Sequence, residues 1–188
     1  MSAIFTPVNT ELIEWMMTAE EYDALPDNRR FELVHGVVRE MPSANTRHQY
    51  ITRALCNALD RMGRPVFRAI ENIELRLADD LRRLPDVIVV RAECYDGERC
   101  RYLPSEVVLG VEVVSPGSNR TDRRDKPAEY AVAGITHYWR IEPRPALTVH
   151  TYRLGLRGYR LTGRFGLSEK VAARGLEWAE VSVADLQD

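Results

Sequence analysis

Val107-Val108-Leu109-Gly110-Val111-Glu112-Val113-Val114, closed by Ser115-Pro116-Gly117, is the stretch around which the other elements arrange themselves. β-Branched residues dominate a short run bounded by Pro and Gly, which predicts a buried strand. One residue breaks the pattern: the carboxylate Glu112 stands in its middle. An unpaired buried carboxylate is costly, so Glu112 requires a cation, a hydrogen-bond donor or a metal. A second apolar run, Asp86-Val87-Ile88-Val89-Val90, begins with an acid behind Leu84-Pro85. These two most apolar strands belong at the centre of a sheet.

Outward from them, the remaining elements follow from capping and periodicity. Thr18-Ala19-Glu20-Glu21 fits a capping box opening a short helix to about Leu25. Phe31–Val34 and Val37–Met41 flank His35-Gly36, a hairpin signal because Gly accepts positive φ. Thr46-Arg47-His48-Gln49 reads as a second capping box. It opens the clearest helix, with Ile51, Leu55, Ala58, Leu59 and Met62 on one face and Gly63 as its stop. Val66–Ala69 and Ile73–Leu77 alternate as strands, the second exposing Glu74 and Arg76. Arg82-Arg83-Leu84-Pro85 leads into the Asp86 strand, and residues 92–105 read as a loop. After Glu112 come a helix near Asp122–Ala133, a strand Thr136–Ile141, and a hairpin of Leu147–Tyr152 with Tyr159–Leu161. The tail around Trp178 and Val181 holds one last short element. This order predicts an α/β to α+β fold, a mixed sheet flanked by helices, in a single domain spanning 1–188 with its core at about 18–160.

Composition bounds the function. The chain has 188 residues, 45% hydrophobic and 29% charged, with a net charge of −2. No apolar run approaches the roughly 20 residues of a membrane span. Cys56, Cys94 and Cys100 are an odd number without zinc-finger spacing, which reads as reduced thiols of a cytoplasmic protein. The near-neutral charge argues against broad, constitutive nucleic-acid binding and leaves room for a local basic groove. Arg120, Arg123 and Arg124 cluster just after the key strand, and Arg61, Arg64 and Arg68 form a second group.

If the Asp86 and Glu112 strands are neighbours, their carboxylates converge about 5 Å apart. Such a pair repels unless a cation joins it, and carboxylate oxygens suit Mg²⁺ or Mn²⁺. The backbone carbonyl of Val113 would complete the protein's share of such a site, leaving water and substrate phosphate to fill the rest. Asp122, Lys126 and Tyr130, spaced i, i+4, i+8, lie on one helix face that packs back over the strand end. A lysine there can orient the attacking water and stabilise charge on a phosphate. The bland alternatives are that Asp86 caps a turn, Glu112 pairs with Arg140, Asp122 caps its helix and Lys126 is solvated. His48, in the first turn of a helix, is placed to meet a phosphate or simply to pack. Tyr130 and Tyr138 either line the cleft or fill the core.

Pro85-Asp86, then Val111-Glu112-Val113-Val114-Ser115-Pro116, then Asp122, Lys126, Tyr130, Gly134 and Tyr138-Trp139 together resemble a bacterial restriction endonuclease-like family. Many of its members are known only as a domain of unknown function, within the PD-(D/E)XK nuclease superfamily. The resemblance runs from about Thr18 to Tyr159. Glu32-Leu33 with Gly36 matches the N-terminal hairpin, and His48 matches the start of the long helix. It implies a restriction-endonuclease-like core that hydrolyses DNA with Mg²⁺ held by Asp86 and Glu112, with Glu32 as an additional acid. The superfamily's acid-x-lysine signature would place Lys at 114, where this chain has Val114, so the lysine role passes to Lys126. His48, Tyr130, Arg120 and Arg123 are the expected substrate contacts. Nucleases of this fold often pair two sites for two strands, which makes a homodimer the expected assembly. Two rivals stay open: a non-catalytic module binding protein or nucleic acid, and a hydrolase of small phosphate esters with a closed pocket.

Overall fold

The computed structural model describes residues 15–25, 31–115 and 120–187. Pro116 and Gly117, expected to close the key strand, and Pro26, expected to stop the first helix, lie outside them. The chain forms strand β1 (Trp15–Met16), helix α1 (Ala19–Asp23), the hairpin β2 (Phe31–Val34) and β3 (Val37–Glu40), and helix α2 (Thr46–Gly63). Strands β4 (Phe67–Glu71), β5 (Glu74–Ala78), β6 (Leu81–Arg83), β7 (Val87–Arg91), β8 (Arg101–Tyr102) and β9 (Val107–Val113) follow. Helix α3 (Lys126–Val132) then leads to β10 (His137–Glu142), β11 (Thr148–Gly155) and β12 (Gly158–Phe165).

The strands divide into two six-stranded sheets, ordered β1-β3-β2-β6-β5-β8 and β12-β11-β10-β9-β7-β4. The second carries both acids. In it β9 and β10 run parallel and every other pairing is antiparallel. Alternation along β9 sends Leu109, Val111 and Val113 into the main core with Val87, Val89, Trp139 and Ile141, against Ile51, Leu55 and Leu59 of α2. The C-terminal tail closes the same core through Val171, Val181, Val183 and Leu186. Gly110 and Glu112 face the other way, toward α3. A Cβ at Gly110 would stand 3.6 Å from the Tyr130 ring, in ordinary van der Waals contact, so α3 packs directly over this part of β9.

Local signals explain most boundaries. The Thr18 capping box forms, with Glu21 N–H donating to Thr18 Oγ1 at 3.2 Å and Thr18 N–H to Glu21 Oε2 at 2.8 Å. His35 and Gly36 both take positive φ, 53° and 79°, as a two-residue hairpin turn demands. At α2 the cap is Asn45 rather than Thr46: its Oδ1 accepts the His48 N–H at 2.9 Å. Asn and Ser/Thr caps compete on similar terms, and here the chain enters the helix one residue early.

Three further differences have physical causes. Arg82 and Arg83, expected as a polar lead-in, lie in β6 and are almost wholly buried, because carboxylates meet both. Arg82 Nη1 pairs with Asp23 at 2.8 Å and with Glu74 at 3.3 Å, so Glu74 is buried rather than exposed. Part of the expected 92–105 loop pairs as β8, parallel to β5. The helix expected from Asp122 begins with a π-helical turn over Thr121–Asp125, in which Lys126 N–H donates to the Thr121 carbonyl. Pro127 has no N–H and its ring crowds the carbonyl four residues back, which favours the wider turn.

Candidate active site

The register of β7 against β9 pairs Val87 with Val111, so one residue further Asp86 stands opposite Glu112. Asp86 lies just ahead of β7, held by the sheet itself: its Oδ2 accepts the Val113 N–H at 2.7 Å. Its Oδ1 is 3.3 Å from His48 Nε2 on the first turn of α2. Burial works against a charged His48, but the hydrogen bond and charge of Asp86 and a bond to the Val113 backbone outweigh it and hold the imidazole above its ordinary pKa. Rather than capping a turn, Asp86 ties β7, β9 and α2 together.

Glu112 is fully desolvated, and α3 supplies its partners. Lys126 Nζ donates to Glu112 Oε2 at 2.8 Å, and Tyr130 Oη donates to Oε1 at 2.6 Å. Arg140, the structural alternative, occupies the register position beside Glu112 on β10 but pairs with Glu142 at 2.9 Å. The spacing of 126 and 130 delivers both donors because residues four apart share one helix face. Lys126, 2% exposed, also lies 3.4 Å from Glu32 and 3.5 Å from Asp122. It is therefore a buried ammonium at the centre of three acids, not a solvated lysine.

The groups of this cluster shift one another's titration. Burial pushes Glu112 well above the ordinary carboxylate range, and Asp122 and Asp86 add to the push against the pull of Lys126. Burial also disfavours the Lys126 ammonium, but Glu112, Glu32, Asp122 and Asp86 together hold it protonated. Glu32 is braced by Arg83 at 2.7 Å and by the Leu84 N–H at 3.0 Å; despite burial, Lys126 and Arg83 hold it below its ordinary pKa. Arg83 is itself shared with Glu129, at 2.6 Å. Four acids thus face the Lys126 ammonium, a guanidinium shared with Glu129 and the His48 imidazole, with Glu112 itself pushed toward its neutral form.

A cavity of about 450 Å³ opens over these groups, lined by His48, Asp86, Glu112, Ser115, Asp122 and Lys126. An oxygen-rich set of carboxylates suits a hard divalent cation. Among the described residues no three His, Cys, Asp or Glu side chains converge as a ready-made ligand cluster. Asp86 and Glu112 are the acids on the cavity that could contribute to holding a metal, its other positions falling to water and substrate.

The other expected contacts divide. His48 borders the cavity. Tyr130 does not: it has no exposed surface and lies behind Glu112, so it can position that acid but not touch a substrate. Tyr138 is core, its hydroxyl donating to the Asp122 carbonyl at 2.6 Å. Arg123 is clamped on Glu142 by bonds of 2.9 and 2.6 Å, and Arg120 is exposed. Asp122 does not cap a helix; its side chain is buried within the site. Arg83 was missed, since an arginine pair ahead of a Pro carries no sequence signal of burial. The i, i+4 spacing of Asp122 and Lys126 was the signal that placed the acid on the right face. No helix among the described residues is long and apolar enough to cross a membrane.

No curated protein sequence matches the chain. Among solved structures it is similar to the crystal structure of a putative nuclease of DUF820 from Anabaena variabilis, with a TM-score of 0.72 and 19% identity over 90% of this chain and 97% of that one. That likeness establishes a shared fold, a mixed α/β nuclease-like architecture. The family model Uma2, described as putative restriction endonuclease, matches residues 19–184. The chain belongs to the Uma2 family.

Proposed function

We propose that the protein is a divalent-metal-dependent endonuclease that hydrolyses phosphodiester bonds, with DNA as its substrate. The observation carrying this reading is the meeting of Asp86 and Glu112 across adjacent strands, with Lys126 at 2.8 Å from Glu112, on an open cavity. Asp86 and Glu112 hold the cation, Mg²⁺ or Mn²⁺. When bound, it polarises the phosphate and neutralises charge developing on its oxygens. Lys126 orients the attacking water and faces the same developing charge. Tyr130 fixes the Glu112 rotamer, the His48 contact fixes Asp86, and Glu32 with Asp122 keeps the ammonium over the site. The cavity adjoins a second one lined in part by the same His48 and Ser115, which fits a polymer lying across it better than an enclosed small ester.

One observation favours a non-catalytic module instead: both Glu112 oxygens already have donors within the chain. Cleavage of supercoiled plasmid and of labelled RNA with Mg²⁺, Mn²⁺ or chelator separates the readings. Metal-dependent nicking that falls at least about 100-fold in Glu112→Gln and in Asp86→Asn, with unchanged circular dichroism, supports the endonuclease. Absence of cleavage by the wild type, with no heat of Mn²⁺ binding by calorimetry, refutes it.

A further inference from the structure

The register that sets Asp86 opposite Glu112 continues across the sheet. Glu112 pairs with Arg140 on β10, Arg140 with His150 on β11, and His150 with Arg164 on β12. Register partners point to one face, so these five residues form a single cross-strand row that starts with two acids and ends with three basic residues. Strands lie ~4.8 Å apart, which puts Arg164 about 14 Å from Glu112.

Surface shape follows the row. The cavity over the acids shares His48 and Ser115 with a second of about 650 Å³, and that one shares Arg123, Glu142 and Arg144 with a third of about 320 Å³. The third is lined by Arg123, Arg140, Arg144, His150 and Arg164, with Glu142 as its acid. Glu142 is already engaged by Arg123 at 2.6 Å and by Arg140 at 2.9 Å. Arg144 and Arg164 are exposed beside it with no acid partner among the described residues. Four guanidiniums around one committed carboxylate leave a local surplus of positive charge in a protein whose net charge is −2. Guanidiniums bind phosphate through paired N–H donors.

We infer that this basic end of the row is a docking site for the phosphodiester backbone of the substrate strand, on one side of the bond to be cut. The inference builds on the endonuclease reading, whose acids begin the row. At ~3.4 Å of rise per nucleotide, 14 Å corresponds to about four nucleotides beyond the reacting phosphate. The acids repel a polyanion, and the arginines hold it in register over them.

The test is fluorescence-anisotropy binding of a labelled DNA duplex, and of its single strand, to the whole chain in chelator across a salt series. Arg144→Gln with Arg164→Gln removes the two unengaged guanidiniums. For the duplex, the slope of log affinity against log salt should fall by about 2, since each phosphate contact contributes about 0.9. Arg174→Gln is the control, because its loop lies beside His137, at the other end of β10 and on its other face. The double variant should also raise KM for cleavage with kcat unchanged, as uniform binding requires. A slope unchanged in the double variant, or lowered equally by Arg174→Gln, overturns the docking site, and so does wild type that binds neither strand form. Displacement by inorganic phosphate at constant ionic strength, equal for long and short oligonucleotides, overturns it in favour of a small-anion site. Salt-sensitive binding that needs Arg144 and Arg164, without cleavage, upholds it while the endonuclease reading fails.

Discussion

Replacing Lys126 by Met keeps most of the side-chain volume and removes the charge that three acids surround at 2.8, 3.4 and 3.5 Å. Removing one partner of a buried ion pair costs about 3–5 kcal/mol, because the other charge is left uncompensated. Glu112 limits the loss. Its pKa is already raised well above the ordinary carboxylate range, so it takes up a proton once the ammonium is gone, and the cost stays at the low end of its range, ~3 kcal/mol. For a chain of this size ~1 kcal/mol corresponds to about 2–4 °C in Tm, which gives a fall of roughly 6–12 °C. The sign with pH follows. Without Lys126 the folded-state pKa of Glu112 rises further, so the stability that its protonated form supplies below the ordinary value of 4.5 is lost more heavily as pH rises, and the deficit of the variant grows with pH. Thermal unfolding followed by circular dichroism in chelator measures it. Added Mn²⁺ should recover about 2.7 kcal/mol at 100-fold over its Kd, by replacing the missing positive charge. A variant melting within about 2 °C of wild type in chelator would refute the claim that Lys126 neutralises the cluster.

Asn45→Ala should destabilise by about 1 kcal/mol in urea titrations and Thr46→Ala by only a few tenths, since Asn45 alone caps α2. Burial raises the Glu142 carboxyl, but the Arg123 hydrogen bonds and the charges of Arg123 and Arg140 outweigh it and leave it below its ordinary value of 4.5. Its contribution is therefore present above pH 4.5 and lost as pH falls, and the acid limb of a urea-midpoint profile should flatten in Glu142→Gln. Burial pushes the Cys56 thiol up to about 12. Alkylation at pH 8 with mass mapping should find Cys100, which is exposed, modified first, and Cys56 only after unfolding.

The elements that position the site were legible because each rested on a short-range rule. The Asp86 and Glu112 strands came from apolar runs with one intruding acid, α3 from the spacing of Asp122, Lys126 and Tyr130, and the first hairpin from His35-Gly36. Partner choice was harder to see. Whether Glu112 meets Arg140 or Lys126 depends on how α3 crosses the sheet, which local spacing does not encode. β6 stayed hidden for a related reason: Arg82 and Arg83 look solvent-facing until Asp23, Glu74, Glu32 and Glu129 come in from distant segments. The second sheet follows from the same pairing. The basic row was invisible too, because its members sit on three strands and share no motif.

The alternation of faces imposes a parity rule on change in this protein. Changes in the connections leave the row intact only where they keep strand register, which the tight Leu156–Arg157 turn fixes between β11 and β12. Within a strand, a single inserted residue ahead of Arg140 would bring Trp139 to the place beside Glu112 and send the guanidinium into the apolar layer. Paired insertions preserve both faces, and a single one does so only where a bulge absorbs it, as at the register shifts beside Val89/Val90 and Thr151/Tyr152. Length variation in this sheet is thus confined to steps of two or to bulges, and any redesign of the track should change side chains at fixed positions and leave strand lengths alone.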